Sequence, residues 1–318
     1  MTDDEPAEGA EQVPGAARTD DPPAPDGVGP TPSAPPSPNR TARFVWGAVI
    51  VIVVAVIGLV TYALTDPPAT QRAVQRTVTA PGVVAQLAKV PSSVFDTVGV
   101  APGDTGLTDP TVVSGQPLLR AGGRPEVLYV GAEYCPFCAS ERWPLVVALS
   151  RFGHFTGLKD MQSAPLSVFP DTQTFSFVGS AYTSPYLTFT GVELYSDAVD
   201  ARGSFARITT LTPAQAQLLS RYGGRRAGTG SLAGSYPFVD IGNQMVTSTS
   251  AFSPAVLVRQ SQSAIAGGLS QADNPTTQAI VASANQLTAG MCAATGQRPS
   301  SVCASRGVRE AATSLGMS

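Results

Sequence analysis

Hydrophobic side chains follow three regimes along this chain. Residues 1–43 carry ten prolines, eight acids and almost no large apolar residue. Such a segment cannot bury enough surface to offset its ordering entropy, which predicts a disordered, Pro-rich acidic tail. Residues 44–64, Phe44 to Leu64, then run for 21 positions without a charge. A helix of that length crosses a hydrocarbon core of about 30 Å. Trp46 and Tyr62 stand near its ends, where aromatic rings favour the interface. A 43-residue leader and the lack of an A-x-A cleavage site favour an uncleaved signal anchor over a signal peptide. Residues 65–80 read as a polar linker. Beyond them apolar and polar positions interleave with short periods, as in a globular domain over 81–305, with a flexible C-terminus at 306–318.

Within that domain the pattern predicts alternating strands and helices. A short helix is expected over 83–99 and loop or a short hairpin over 101–124. An apolar strand follows at 126–133, then a helix over about 137–152 with Trp143, Val146, Val147, Leu149 and Phe152 on its apolar face. Strands are expected at Thr174–Val178, Tyr186–Phe189 and Val192–Tyr195. This aromatic-rich region reads as core plus an edge strand, with a peptide groove as the rival. Thr212 caps a helix beginning at Pro213 and running to Tyr222, and 223–235 is a flexible loop. Residues 236–248 form an antiparallel hairpin turning at Gly242-Asn243. Further helices start at Ser253-Pro254 and cover 261–269 and 275–293. Strands alternating with helices place the domain in the α/β class.

Charge narrows the function. Charged residues are only 14% of the 318. The tail holds eight acids and three arginines, and the rest 15 acids and 17 bases, with no basic patch or arginine-rich tract. That excludes nucleic-acid binding. Arg40 and Arg43 flank the apolar run more closely than Arg72 and Arg76, which favours a cytoplasmic N-terminus. All four cysteines, Cys135, Cys138, Cys292 and Cys303, lie beyond the run. An even count on one side fits an oxidising compartment, so the globular domain is expected to be extracytoplasmic.

The chemistry centres on Cys135-Pro136-Phe137-Cys138 at a strand-to-helix corner. Two intervening residues let the sulfurs close a disulfide across the first helical turn. There unpaired N–H groups and the helix dipole lower the first thiol from about 8.5. Pro136 fits the first helical turn. Cys135 is thus the candidate attacking thiol and Cys138 the resolving one. Zinc is disfavoured: Cys292 and Cys303 lie eleven apart, and His154, the single histidine, sits beyond the helix as a surface residue. Sequence order favours a Cys292–Cys303 pair, a structural staple or else a relay to the first pair. Glu133 and Glu141 flank the corner, and Glu141 and Arg142 read as solvated helix residues.

The corner resembles the thioredoxin-family active site, and its Pro-Phe dipeptide resembles the Pro-Tyr of glutaredoxins. Residues 129–143 and 148–153, Leu187-Thr188-Phe189, Pro237-Phe238-Val239-Asp240 and the paired-cysteine tail are similar to a family of membrane-anchored bacterial proteins of unknown function, found mainly in actinomycetes. The resemblance covers residues 80–305. It implies a thioredoxin-like fold, a central mixed sheet flanked by helices with extra helices added, and Pro237 in the cis-proline position. On that basis Tyr236, Pro237, Pro136 and Phe137 are the expected substrate-binding residues. Two departures matter. Tyr129 stands where thioredoxins carry a buried carboxylate, and Phe137 stands where strong periplasmic oxidants carry a histidine.

Together these expectations describe a single-pass protein of the bacterial cell membrane, held in lipid through residues 44–64. It would exchange disulfides with thiol- or disulfide-bearing protein substrates and an unidentified redox partner. Thiolate exchange needs no small-molecule cofactor and no metal. The alternative is a non-catalytic binding or scaffold module whose disulfide is structural.

Overall fold

The apolar run Val127-Leu128-Tyr129-Val130 lies at the centre of a mixed sheet. The computed structural model describes residues 53–54, 56–57, 77–100, 107–200, 203–223 and 236–317. The chain falls into two units, Met1–Thr65 and Asp66–Ser318. In the first, Val53, Val54, Val56 and Ile57 are helical and exposed. The tail expected at 1–43 and the rest of the anchor expected at 44–64 lie outside the described residues, as do most of the 65–80 linker and of the 223–235 loop. Among the described residues no helix is long and apolar enough to cross a membrane.

The second unit opens with helices α1 (Pro81–Ala88) and α2 (Ser92–Val98). Strands β1 (Thr111–Val112), β2 (Arg120–Ala121) and β3 (Arg124–Gly131) lead into α3 (Pro136–Ser150). Short strands β4 (His154–Thr156), β5 (Lys159–Gln162), β6 (Gln173–Ser176) and β7 (Ala181–Thr183) precede β8 (Thr188–Glu193). The hairpin β9 (Tyr195–Val199) and β10 (Phe205–Arg207) leads to α4 (Pro213–Tyr222), then to β11 (Phe238–Ile241) and β12 (Met245–Thr247). After a 3₁₀ turn at Pro254–Leu257 come α5 (Gln262–Gly268), α6 (Pro275–Thr295), α7 (Ser300–Cys303) and α8 (Arg306–Ser314).

The main sheet has six strands in the order β1-β12-β11-β3-β2, with β8 also on β3. β3 and β8 are parallel, Val127 opposite Phe189 and Val130 opposite Val192. β11 runs antiparallel to β3, with Phe238 opposite Val130 and Ile241 opposite Val127. Side chains alternate across β3, as a two-residue period requires. Val127 and Tyr129 enter the larger core with Trp143, Leu149, Val239, Ile280 and Leu287. Leu128 and Val130 enter a second core with Val192, Phe238 and Leu219 of α4.

Two helices pack together on the larger core. In α3 every residue but Phe137 and Ser150 is buried, which matches its unbroken apolar run 143–149. α6 is capped by Asn274, whose side chain accepts from the N–H groups of Thr276 and Thr277, and ends at left-handed Gly296. The Cys292–Cys303 disulfide ties its last turn to α7.

Some boundaries differ from the sequence reading. The region 83–99 is two helices, broken at Lys89–Pro91. One strand, β8, joins the end of the strand expected at 186–189 to the start of that expected at 192–195, and Tyr195 opens β9; Gly191 permits the continuous strand, because a Cβ there would lie 2.8 Å from Phe177 Cβ. Residues 306–314 are helical rather than flexible, since α8 buries Val308 and Ala311 against the core. The expected helix at Ser253-Pro254 is the short 3₁₀ turn.

Candidate functional site

Cys135 is the N-cap of α3, directly after the central strand. It has extended backbone angles, and its sulfur accepts from the Cys138 N–H at 3.4 Å. Pro136 occupies the first helical position, where its missing N–H costs nothing. Both cysteines are free thiols here. Both are buried, Cys138 completely and Cys135 with 7% of its surface exposed. The Cys135 thiol is lowered, chiefly by the hydrogen bond from Cys138 and against the effect of burial. The Cys138 and Phe137 N–H groups and the Arg142 charge assist. Burial pushes Cys138 well up, with the Cys135 charge adding to it. The two thiols of the pair are thus shifted in opposite directions, the first down and the second up.

Tyr236 packs against the cysteines, and its hydroxyl lies 2.7 Å from that of Tyr134. The Tyr236–Pro237 bond is cis. Because Phe238 faces Val130, Pro237 lies level with Gly131 at the end of β3 that leads to Cys135. The structure thus brings together Cys135, Cys138, Pro136, Tyr236 and Pro237. Phe137 is 40% exposed and meets the Phe169 ring at 6.0 Å. The loop carrying Phe169 is tied to the corner by Ala164 N–H donating to Tyr134 C=O at 3.0 Å, and it presents exposed Leu166 and Val168. His154 is exposed in β4. Cys292 and Cys303 are paired with each other, in α6 and α7, as sequence order favoured.

Beside the cysteines opens a cleft of about 690 Å³. Tyr134, Tyr195, Phe205 and Tyr236 wall it, Leu194 and Leu219 line it, and Arg207 stands at its edge. Tyr134 stacks on Phe205 at 3.9 Å, and Arg207 covers the Tyr195 ring at 4.6 Å. Sequence reasoning named Tyr236 but missed the rest of this wall, because it is assembled from the corner, the β9–β10 hairpin and α4.

Glu141 and Arg142, expected in solvent, are both fully buried. The reason is the packing of α3 on all sides; the continuous apolar run following them was the available signal. Glu141 Oε2 accepts from Ala251 N–H at 2.8 Å, its Oε1 has no hydrogen-bond partner among the described residues, and burial raises its pKa to about 8. Arg142 Nε and Nη2 donate to Glu193 Oε1 and Oε2 at 2.9 and 2.8 Å, a fork in which both groups are buried. Nη2 also donates to Ala132 C=O at 3.0 Å. Tyr129 stands over Gly131 beneath the same corner. A Cβ on Gly131 would lie 2.1 Å from the Tyr129 hydroxyl, so glycine is required there. Glu133 is buried and accepts from Ser176 Oγ at 2.6 Å. Among the described residues no group of three or more His, Cys, Asp or Glu side chains is placed to hold a metal.

The chain matches a domain of unknown function, DUF929, over residues 110–293, and it belongs to that family. No curated protein and no solved structure matches it.

Proposed function

We propose that the chain is a thiol–disulfide oxidoreductase of thioredoxin-like fold that acts by dithiol–disulfide exchange at Cys135 and Cys138. The observation that carries this reading is the asymmetry of the pair. Cys135 caps the helix N-terminus with its thiol lowered and a slight residual exposure of 7%, and Cys138 is sealed one turn in with its thiol raised. The mixed sheet, the corner between β3 and α3, and Pro237 level with Gly131 beside it support the fold assignment. The cleft and the exposed apolar side chains Phe137, Leu166 and Val168 support an extended polypeptide as substrate, docked by apolar side chains near its cysteine. On this reading the domain is extracytoplasmic and tethered through residues 44–64, with the N-terminal tail in the cytoplasm.

The chemistry needs no cofactor. The Cys135 thiolate attacks a substrate disulfide and forms a mixed disulfide, and Cys138 displaces the substrate as Cys135–Cys138 closes. The reverse sequence donates a disulfide. Equilibration of the full chain with glutathione buffers, followed by trapping of free thiols, tests the proposal. A potential above about −300 mV marks an exchangeable pair. A pair that stays closed over the whole glutathione range sinks the proposal in favour of an inert, binding-only module.

A further inference from the structure

We propose that the buried Arg142 guanidinium stabilises the reduced pair, so that the Cys135–Cys138 disulfide is an oxidant that donates disulfides to polypeptide dithiols; this rests on the exchange reading above. Arg142 lies four residues after Cys138, on the same side of α3 and one turn deeper. It is held there by the Glu193 fork and by Ala132 C=O, which also accepts the Cys135 N–H at 3.2 Å. Among the described residues its Nη1 is buried without a hydrogen-bond partner, and so is the Tyr129 hydroxyl. Two hydrogen-bond donors that ordinarily find partners are therefore left over in the packing beneath the cysteines. Arg142 also lies over the Tyr129 ring at 5.6 Å.

The charge has a definite thermodynamic effect. A disulfide is neutral, whereas the reduced pair carries a thiolate. A fixed cation in a low-dielectric interior therefore favours the reduced form and makes the disulfide more oxidising. Arg142 lowers both thiols. Phenolic Tyr129 stays neutral, because burial raises it well above its ordinary value, so it places no negative charge against the thiolate. Tyr134 and Tyr236, which pack against the pair together with Tyr195, are raised by burial and stay neutral as well. Glu193 is engaged by Arg142, and Glu133 accepts from Ser176.

The transfer balances. A substrate thiolate attacks Cys135 Sγ, the Cys135–Cys138 bond breaks, and the Cys138 sulfur leaves and takes up a proton. The second substrate thiolate then attacks the substrate sulfur of the mixed disulfide. The substrate disulfide forms and Cys135 departs as the thiolate that Arg142 stabilises. Two electrons pass from the substrate sulfurs to the pair. Of the two substrate protons, one ends on Cys138 and one in solvent.

Three variants of the full chain, checked for folding by circular dichroism, test this. Glu193→Gln removes the counter-charge and is expected to shift the equilibrium with glutathione at least tenfold towards the reduced pair, about 30 mV. Arg142→Met with Glu193→Gln removes both charges, avoids an orphaned ion, and is expected to shift it at least tenfold the other way. Arg142→Lys keeps the charge and is expected to stay nearer wild type than the double variant. A purely structural role predicts lower stability without opposite shifts. Shifts of the same sign, or none, overturn the proposal, as does oxidised wild type that fails to oxidise a reduced two-cysteine peptide. Thiolate absorbance at 240 nm, titrated in the same proteins, tells the two failures apart. A wild type that never exchanges overturns both readings. Normal exchange with a Cys135 titration identical in all variants overturns only the role of Arg142.

Discussion

Replacing Glu141 by Gln isolates one buried carboxyl whose effect on stability has a calculable pH signature. Glu141 is fully buried in α3, accepts a single hydrogen bond from Ala251 N–H, and has its pKa raised from an ordinary 4.5 to about 8 by burial. The unfolded chain ionises this group above about pH 4.5, while the folded chain keeps it protonated up to about pH 8. The raised pKa therefore costs nothing below pH 4.5, and stability falls as pH rises towards 8, beyond which the penalty is constant. At about 1.4 kcal/mol per unit, the penalty reaches roughly 3 kcal/mol at pH 7. Gln does not titrate and keeps an oxygen for Ala251. Its extra N–H adds a pH-independent cost of about 1–3 kcal/mol if it finds no partner. The informative quantity is thus the slope rather than the offset. Urea unfolding of wild type and Glu141→Gln at pH 5, 6, 7 and 8.5 should show their difference growing by about 1.4 kcal/mol per unit up to pH 7 and flattening above 8. A difference that does not vary with pH refutes the assignment of Glu141 as a neutral buried acid.

Other variants probe the remaining parts. Cys292→Ala with Cys303→Ala opens a loop of eleven residues and should lower stability by about 3 kcal/mol in urea melts, with exchange at Cys135 intact; loss of exchange would instead identify that pair as a relay. Ala216→Trp projects into the cleft from α4. It should slow exchange with apolar peptides about tenfold by excluding one buried side chain, while leaving exchange with glutathione unchanged. Equal slowing of both would mean the cleft plays no part in docking.

The local grammar of the chain carried much of this architecture. A continuous apolar run marked β3, Thr212-Pro213 marked the start of α4, and Gly242-Asn243 marked the β11–β12 turn. The Cys-x-x-Cys at the end of an apolar strand located the candidate site by spacing alone. Side chains whose environment depends on distant elements were not legible. Arg142 looks like a surface charge until β8 supplies Glu193, 51 positions away. Tyr129 announces a missing carboxylate, but the neighbouring cation emerges only when β8 pairs with β3. The cleft likewise needs Phe205 to stack on Tyr134 across about 70 positions of sequence. α8 was misread because its buried positions, Val308 and Ala311, are too few to stand out beside its charges.

Trapping a mixed disulfide on single-cysteine variants of the active pair tests the central claim most directly. Cys138→Ser leaves Cys135 to attack a peptide disulfide with nothing to resolve the product. The account predicts that this variant accumulates a stable adduct through Cys135, visible by mass, and that Cys135→Ser, whose remaining thiol is sealed, does not. Failure of Cys138→Ser to form any adduct, or equal labelling of both variants, would contradict exchange at Cys135.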